Sequence, residues 1–106
     1  MTIIEDLTII ANGDFQIEKQ NFPGAECSIE LCGVFDSATV TPGYLSLDDV
    51  PVFVADLDMV EGQNLAPKTA AGRWVTRIPF SGYIALRVAG GGVSTAIKVN
   101  VLTHPL

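Results

Sequence analysis

The sequence predicts an all-β protein, a two-sheet antiparallel β-sandwich of about eight strands. Three observations carry that expectation. Apolar residues recur with period two along most segments, the separators between them are rich in Gly, Pro and Asn, and no window holds a helical i, i+3, i+4, i+7 stripe free of Gly, Pro and β-branched residues. Ile84, Leu86 and Val88 fall on one side of their strand, with Ala85 and Arg87 on the other. Ile97, Val99 and Val101 alternate in the same way with Lys98 and Asn100, and Cys27, Ile29 and Leu31 with Glu26, Ser28 and Glu30.

Taken in order, strands are expected near residues 3–11, 14–20, 26–35, 38–47, 51–57, 73–78, 83–89 and 94–102. Asn12-Gly13 reads as a hairpin turn, because both residues tolerate the positive φ of a tight primed turn. Pro23-Gly24 suits a turn in which Pro sets φ and Gly takes the left-handed position. Asp48-Asp49 is expected to turn the chain between Tyr44-Leu45 and Val52-Phe53-Val54, and Glu61 to Gly72 to form the one long loop. Pro42, inside a strand pattern, points to an edge position or a bulge, where a missing N–H does little harm.

The 106 residues make one domain, 1–106, with 48% hydrophobic residues to supply a core without metals or disulfides. A chain of this size buries roughly 65% of its extended surface on folding. A net charge of −6 argues against DNA, RNA or an anionic membrane as partner, since those are held by clustered Lys and Arg. All twelve carboxylates lie between Glu5 and Glu61 with Lys19 alone against them, so residues 1–61 sum to −11; Lys68, Arg73, Arg77, Arg87 and Lys98 give residues 62–106 a sum of +5. Two arrangements follow: acidic and basic strands that neutralise each other as neighbours, or complementary faces that dock copies together or onto a larger partner.

Cys27 and Cys32 lie five positions apart in one strand, which sets their side chains on opposite faces and their α-carbons about 16 Å apart. A disulfide needs roughly 4.4–6.8 Å, so two free thiols are expected, as suits a reducing cytoplasm. The start Met1-Thr-Ile-Ile-Glu-Asp6 lacks the basic opening and long apolar run of a signal peptide, and no segment approaches the ~18–20 apolar residues of a membrane helix. The expectation is a soluble, unprocessed chain.

No residue is assigned a catalytic, cofactor-binding or metal role, and no cofactor is expected. Gly90-Gly91-Gly92 is followed by Val-Ser-Thr and a strand, with no Lys before Lys98, whereas a phosphate loop needs a following helix and commonly a Lys-Ser or Lys-Thr. The triplet is expected to let two strands reverse or to let the tip lie close against another chain. His104, the single histidine, reads as a surface tail residue, and Cys27 points with the core, where a thiolate is disfavoured. One His and two opposed cysteines do not make a zinc site. Asp48, Asp49, Asp56, Asp58 and Glu61 would gather round Ca²⁺ only if their loops met; solvated loop acids are the expectation. Paired carboxylates for glycoside hydrolysis would need a cleft for which so small a sandwich has little room. Trp74, on one face with Thr76 and Ile78, is expected in the core; turned outward, it would form with Tyr44 a sugar-stacking platform. Arg87 and Lys98 point outward on strands expected to be neighbours, with Glu18, Glu26 or Glu30 between them.

The segment Ile78-Pro-Phe-Ser-Gly-Tyr83-Ile-Ala-Leu-Arg-Val88 resembles the corner before the penultimate strand of immunoglobulin-like and fibronectin type III domains, where a Tyr closes the turn on the backbone. That resemblance implies an immunoglobulin-like sandwich with the glycines in a last hairpin; a jelly roll is the alternative. The order Val34-Phe-Asp-Ser-Ala-Thr-Val-Thr-Pro-Gly-Tyr-Leu45, Val50-Pro-Val-Phe-Val54 and Trp74-Val-Thr-Arg-Ile-Pro-Phe-Ser-Gly-Tyr-Ile-Ala-Leu-Arg-Val88 resembles small β-sandwich virion proteins of tailed bacteriophages, those of head decoration, head fibre and neck or tail. The resemblance implies a structural, non-enzymatic protein on the capsid surface, made in the host cytoplasm. Its partners would be the major capsid protein and copies of itself, a trimer among the arrangements, and neither nucleic acid, membrane nor small substrate. Apolar ends such as Met1-Thr-Ile-Ile4 and Val101 to Leu106 would fasten to partners by strand addition. The alternative function is a carbohydrate- or receptor-binding module with Trp74 or Tyr44 in a groove; a small hydrolase ranks behind both.

Overall fold

The computed structural model describes residues 2–3, 8–17, 20–21, 23–45, 51–52, 67–78 and 81–104. Among these the chain is all-β: β1 (Thr2–Ile3), β2 (Thr8–Ile9), β3 (Gly13–Gln16), β4 (Glu26–Val34), β5 (Thr39–Leu45), β6 (Pro51–Val52), β7 (Gly72–Arg77), β8 (Ile84–Ala89) and β9 (Ala96–His104). They form two packed sheets, one in the order β1-β3-β8-β5-β6 and one in the order β2-β9-β4-β7. Every pairing is antiparallel except the short parallel contact of β1 with β3.

The pairings nest. β2 pairs with β9, β3 with β8, β4 with β7 and β5 with β6, each pair enclosed in sequence by the one before. A long hairpin has been rolled up, and the contacts β9·β4 and β8·β5 close it into two sheets. This is the strand order of a jelly roll. The immunoglobulin-like order is not the one found: its last two strands pair with each other, whereas β8 and β9 lie in different sheets here.

Three expectations change with that order. The strand expected near 3–11 is two segments, β1 in one sheet and β2 in the other. Asn12-Gly13 joins β2 to β3 across the sheets, so it is a crossover and not a hairpin. Gly90-Gly91-Gly92 likewise carries the chain from β8 to β9 across the sandwich. A local turn preference is the same in both settings, so the dipeptide alone does not tell them apart. Pro23-Gly24 does turn the chain, with Gly24 at φ +88°.

β5 lies between β8 and β6, and β6 pairs with it at Tyr44 and Leu45, beyond Pro42. Val40 gives its N–H to Lys68 O (2.8 Å) and takes one from Lys68 N (2.9 Å), so its amide points away from β8. Two residues on, Pro42's nitrogen faces the same way, and its missing N–H leaves the β5·β8 ladder intact. The turn at Asp48-Asp49, together with Glu61 and the first part of the long loop, lies outside the described residues.

The alternation predicted for β4, β7, β8 and β9 holds. Cys27, Ile29 and Leu31 on β4, Trp74 on β7, Ile84, Leu86 and Val88 on β8 and Ile97 on β9 are all buried between the sheets. Trp74 is 1% exposed, and the ammonium of Lys68 lies 5.8 Å from the centre of its ring. Lys68 thus bonds by its backbone to one sheet and rests by its side chain on the other.

Candidate binding face

The two outer faces differ in kind. On β3, β8 and β5 as far as Gly43, the outward positions are small or polar: Asp14, Gln16, Arg87, Ala89, Thr39 and Thr41, with Ala85 and Gly43 on the same side but buried. On β3 and β8, Asp14 faces Arg87 directly, and the guanidinium donates to both carboxylate oxygens at 2.8 and 3.1 Å. That bidentate bond holds Asp14's carboxyl below the usual aspartate range and raises Arg87 further. Arg87 and Lys98 are therefore not neighbours; they lie in different sheets, and the acid beside Arg87 is Asp14 and not Glu18, Glu26 or Glu30. Glu18 lies outside the described residues.

The outer face of the sheet containing β4, β7 and β9 carries the exposed hydrophobics. Among the described residues the large apolar side chains that stand open to solvent are Ile10 (72%), Val34 (52%), Val93 (104%) and Leu102 (44%). Val34 pairs with Ala96 at the end of this face, and Ile10 directly follows Ile9, the partner of Ile97. Val93 stands on the turn feeding β9, and Leu102 lies further along β9 beside Ser28.

Charges sit between these apolar positions. Glu26 faces Arg77 and Glu30 faces Arg73 across β4·β7, while Cys32 faces Lys98 across β4·β9. The acidic strand β4 thus lies beside the basic strand β7, the first of the two arrangements expected from the charge distribution. An open depression of about 520 Å³ lies here, lined by Glu30, Leu31 and Cys32 of β4, Gly72 and Arg73 of β7 and Lys98, Val99 and Asn100 of β9. The outward side of this sheet carries Arg73, Arg77, Lys98, Glu26 and Glu30 with the exposed Val34 and Leu102, and Ile10 and Val93 stand on the segments that follow β2 and precede β9.

One end of the face is held rigid by the glycine triplet. Asn12 donates Nδ2–H to Gly91 O (3.0 Å) and accepts Gly91 N–H on Oδ1 (2.8 Å). Asp36 accepts Ser94 N–H on Oδ2 (2.9 Å), and its carbonyl accepts Gly92 N–H (3.1 Å). Thr95 donates its hydroxyl to Gly92 O at 2.9 Å. A Cβ on Gly92 would strike the Asp36 carboxylate, and one on Gly91 would come within 2.6 Å of Thr95 Oγ1. Gly90 takes φ +77°. The triplet serves close approach to Asp36, Asn12 and Thr95 of its own chain.

The remaining sequence candidates separate. Cys27 is buried and Cys32 exposed, on opposite faces of β4, and both are free thiols. Burial, with Glu26 nearby, pushes the Cys27 thiol up to about 11, so it stays protonated. His104 belongs by its backbone to the end of β9, opposite Glu26. Trp74 is in the core of one sheet and Tyr44 half-buried in the other, so they form no stacking platform. Asp48, Asp49, Asp56, Asp58 and Glu61 lie outside the described residues, and among the described ones no three His, Cys, Asp or Glu side chains converge as a metal site would need. Asp14 and Asn12 were missed by sequence reasoning, because only the strand order brings Arg87 and Gly91 to them. Comparison with known families, with characterised proteins and with solved structures found no match.

Proposed function

We propose that this chain is a structural assembly protein of a virion, a capsid decoration protein of the tailed-bacteriophage kind. It acts by adhering through the outer face of β2, β9, β4 and β7, and it catalyses no reaction. The single observation that supports this reading is the segregation of exposed hydrophobics. Ile10, Val34, Val93 and Leu102 lie on this sheet or on the segments that flank β2 and β9, while the opposite sheet shows no exposed large hydrophobic among the side chains described. Apolar anchors set among charges of both signs suit a surface covered by a protein partner, where the anchors supply affinity and the charges fix orientation.

The jelly-roll frame is in keeping with the reading, since virion coat proteins and lectins both use it. The lectin-like alternative loses its stacking tryptophan to the core, so a single reading is carried forward. In it the partner is the major capsid protein, bound in many copies at the particle surface. Co-sedimentation with purified empty capsids tests it: the chain pellets with the shells at low and physiological salt. A chain that stays in the supernatant at both salts removes the proposal.

A further inference from the structure

The Asn12-Gly13 dipeptide, freed from a hairpin role by the strand order, has a chemistry of its own. An Asn followed by Gly is the most open setting for succinimide formation, because Gly offers no side chain to hinder attack by its own backbone nitrogen. Here the Asn12 amide is also the fastening of the 90–95 loop at Gly91, beside those that Asp36 makes at Gly92 and Ser94. Gly91 can only donate through its N–H and accept through its carbonyl, so the amide orientation is fixed by its partner, with Nδ2 on Gly91 O and Oδ1 on Gly91 N. Asn12 and Gly13 are both exposed to water.

We propose that Asn12 is a spontaneous deamidation site that its clasp with Gly91 restrains, and that the modification unfastens the loop carrying Val93. The Gly13 nitrogen attacks Asn12 Cγ; the Cγ–N bond forms, Cγ–Nδ2 breaks, and Nδ2 leaves as ammonia with the proton of the Gly13 amide. Water then opens the succinimide to Asp or isoaspartate, with no oxidation or reduction. The product carboxylate is acceptor-only at neutral pH. It keeps the bond from Gly91 N–H but sets oxygen against Gly91 O, where a donor stood before. The isoaspartyl product also adds a backbone atom between Asn12's position and Gly13, which moves the carboxylate out of reach. The folded clasp restrains the reaction, because Cγ must leave Gly91 before it can meet the Gly13 nitrogen.

Peptide mapping by mass spectrometry of the full chain, aged in native buffer and in denaturant, tests the restraint. The gain in mass from NH₂ to OH, with isoaspartate, is expected at position 12, slowed at least about tenfold in the folded chain because local opening must come first. Gly91→Ala, whose Cβ crowds Thr95 and Asn12, speeds the reaction in native buffer. Asn12→Asp tests the consequence: amide hydrogen exchange at Gly91, Gly92 and Ser94 rises while β4 and β8 stay protected. Equal rates folded and unfolded, no reaction at position 12 in denaturant, or unchanged exchange at Gly91 in Asn12→Asp each overturn the proposal. Should Asn12→Asp fail to fold, exchange on the aged wild-type chain measures the same loosening, and its absence there overturns the proposal equally.

Discussion

Arg87 on β8 and Asp14 on β3 stand directly opposite each other and close two hydrogen bonds, at 2.8 and 3.1 Å, across strands separated by most of the sequence. The pair is half open to water, with side-chain exposures of 50% and 35%, so its contribution is small and screened by salt. Its sign is clear. Asp14's pKa is lowered in the folded state, so the contribution is present above the ordinary aspartate value, about 3.9, and is lost as pH falls through the lower folded value. Urea denaturation of wild type and Asp14→Asn should differ slightly at pH 7, and the two should converge in strong acid. A gap that widens on acidification contradicts the assignment.

Trp74 is the largest fully buried side chain, at 1% exposure. Trp74→Ala should cost about 3–5 kcal/mol, a large share of the roughly 5–15 kcal/mol that holds a domain together. Its native emission should lie at short wavelength and stay unmoved by added glycans. A solvent-like emission maximum would place the indole outside the core.

The two thiols should behave differently. A water-soluble disulfide reagent at mildly alkaline pH should modify Cys32 quickly and Cys27 only after denaturation, since Cys27 is buried and its pKa is pushed up to about 11. Equal rates in the native chain would mean that the β4 faces are assigned the wrong way round.

Gly33 and Gly24 both hold a positive φ, +98° and +88°, but only Gly33 is crowded: a Cβ there would run into the carbonyl oxygen of Ala96, whereas nothing approaches Gly24. Gly24→Ala should cost on the order of 1 kcal/mol from the left-handed backbone alone. Gly33→Ala should cost clearly more, because β4 and β9 must also part. Thermal denaturation of the two variants checks the order.

Period two in β4, β7, β8 and β9 makes the fold class and the core-facing residues legible, although Ser28, Val75 and Ala85 on the outward sides are buried as well. Partner strands were not legible. Asn12-Gly13 and Gly90-Gly91-Gly92 have local preferences that serve a hairpin and a crossover equally, and only the nested pairing of the whole chain decides between them. That is why Arg87 was set beside Lys98 when its partner is Asp14. The face proposed to bind is visible in the sequence one residue at a time, as Val34 or Leu102 out of place on an outer side. Ile10 joins it only because β2 leaves β3 and pairs with β9.

The central claim is adhesion through one face, and paired surface variants in capsid co-sedimentation test it most directly. Val34→Glu with Leu102→Glu should abolish pelleting of the chain with empty shells, while Thr41→Glu on the opposite sheet should leave it intact, all three substitutions keeping the wild-type far-ultraviolet circular dichroism. Retention by the Val34/Leu102 variant together with loss by Thr41→Glu would contradict the account.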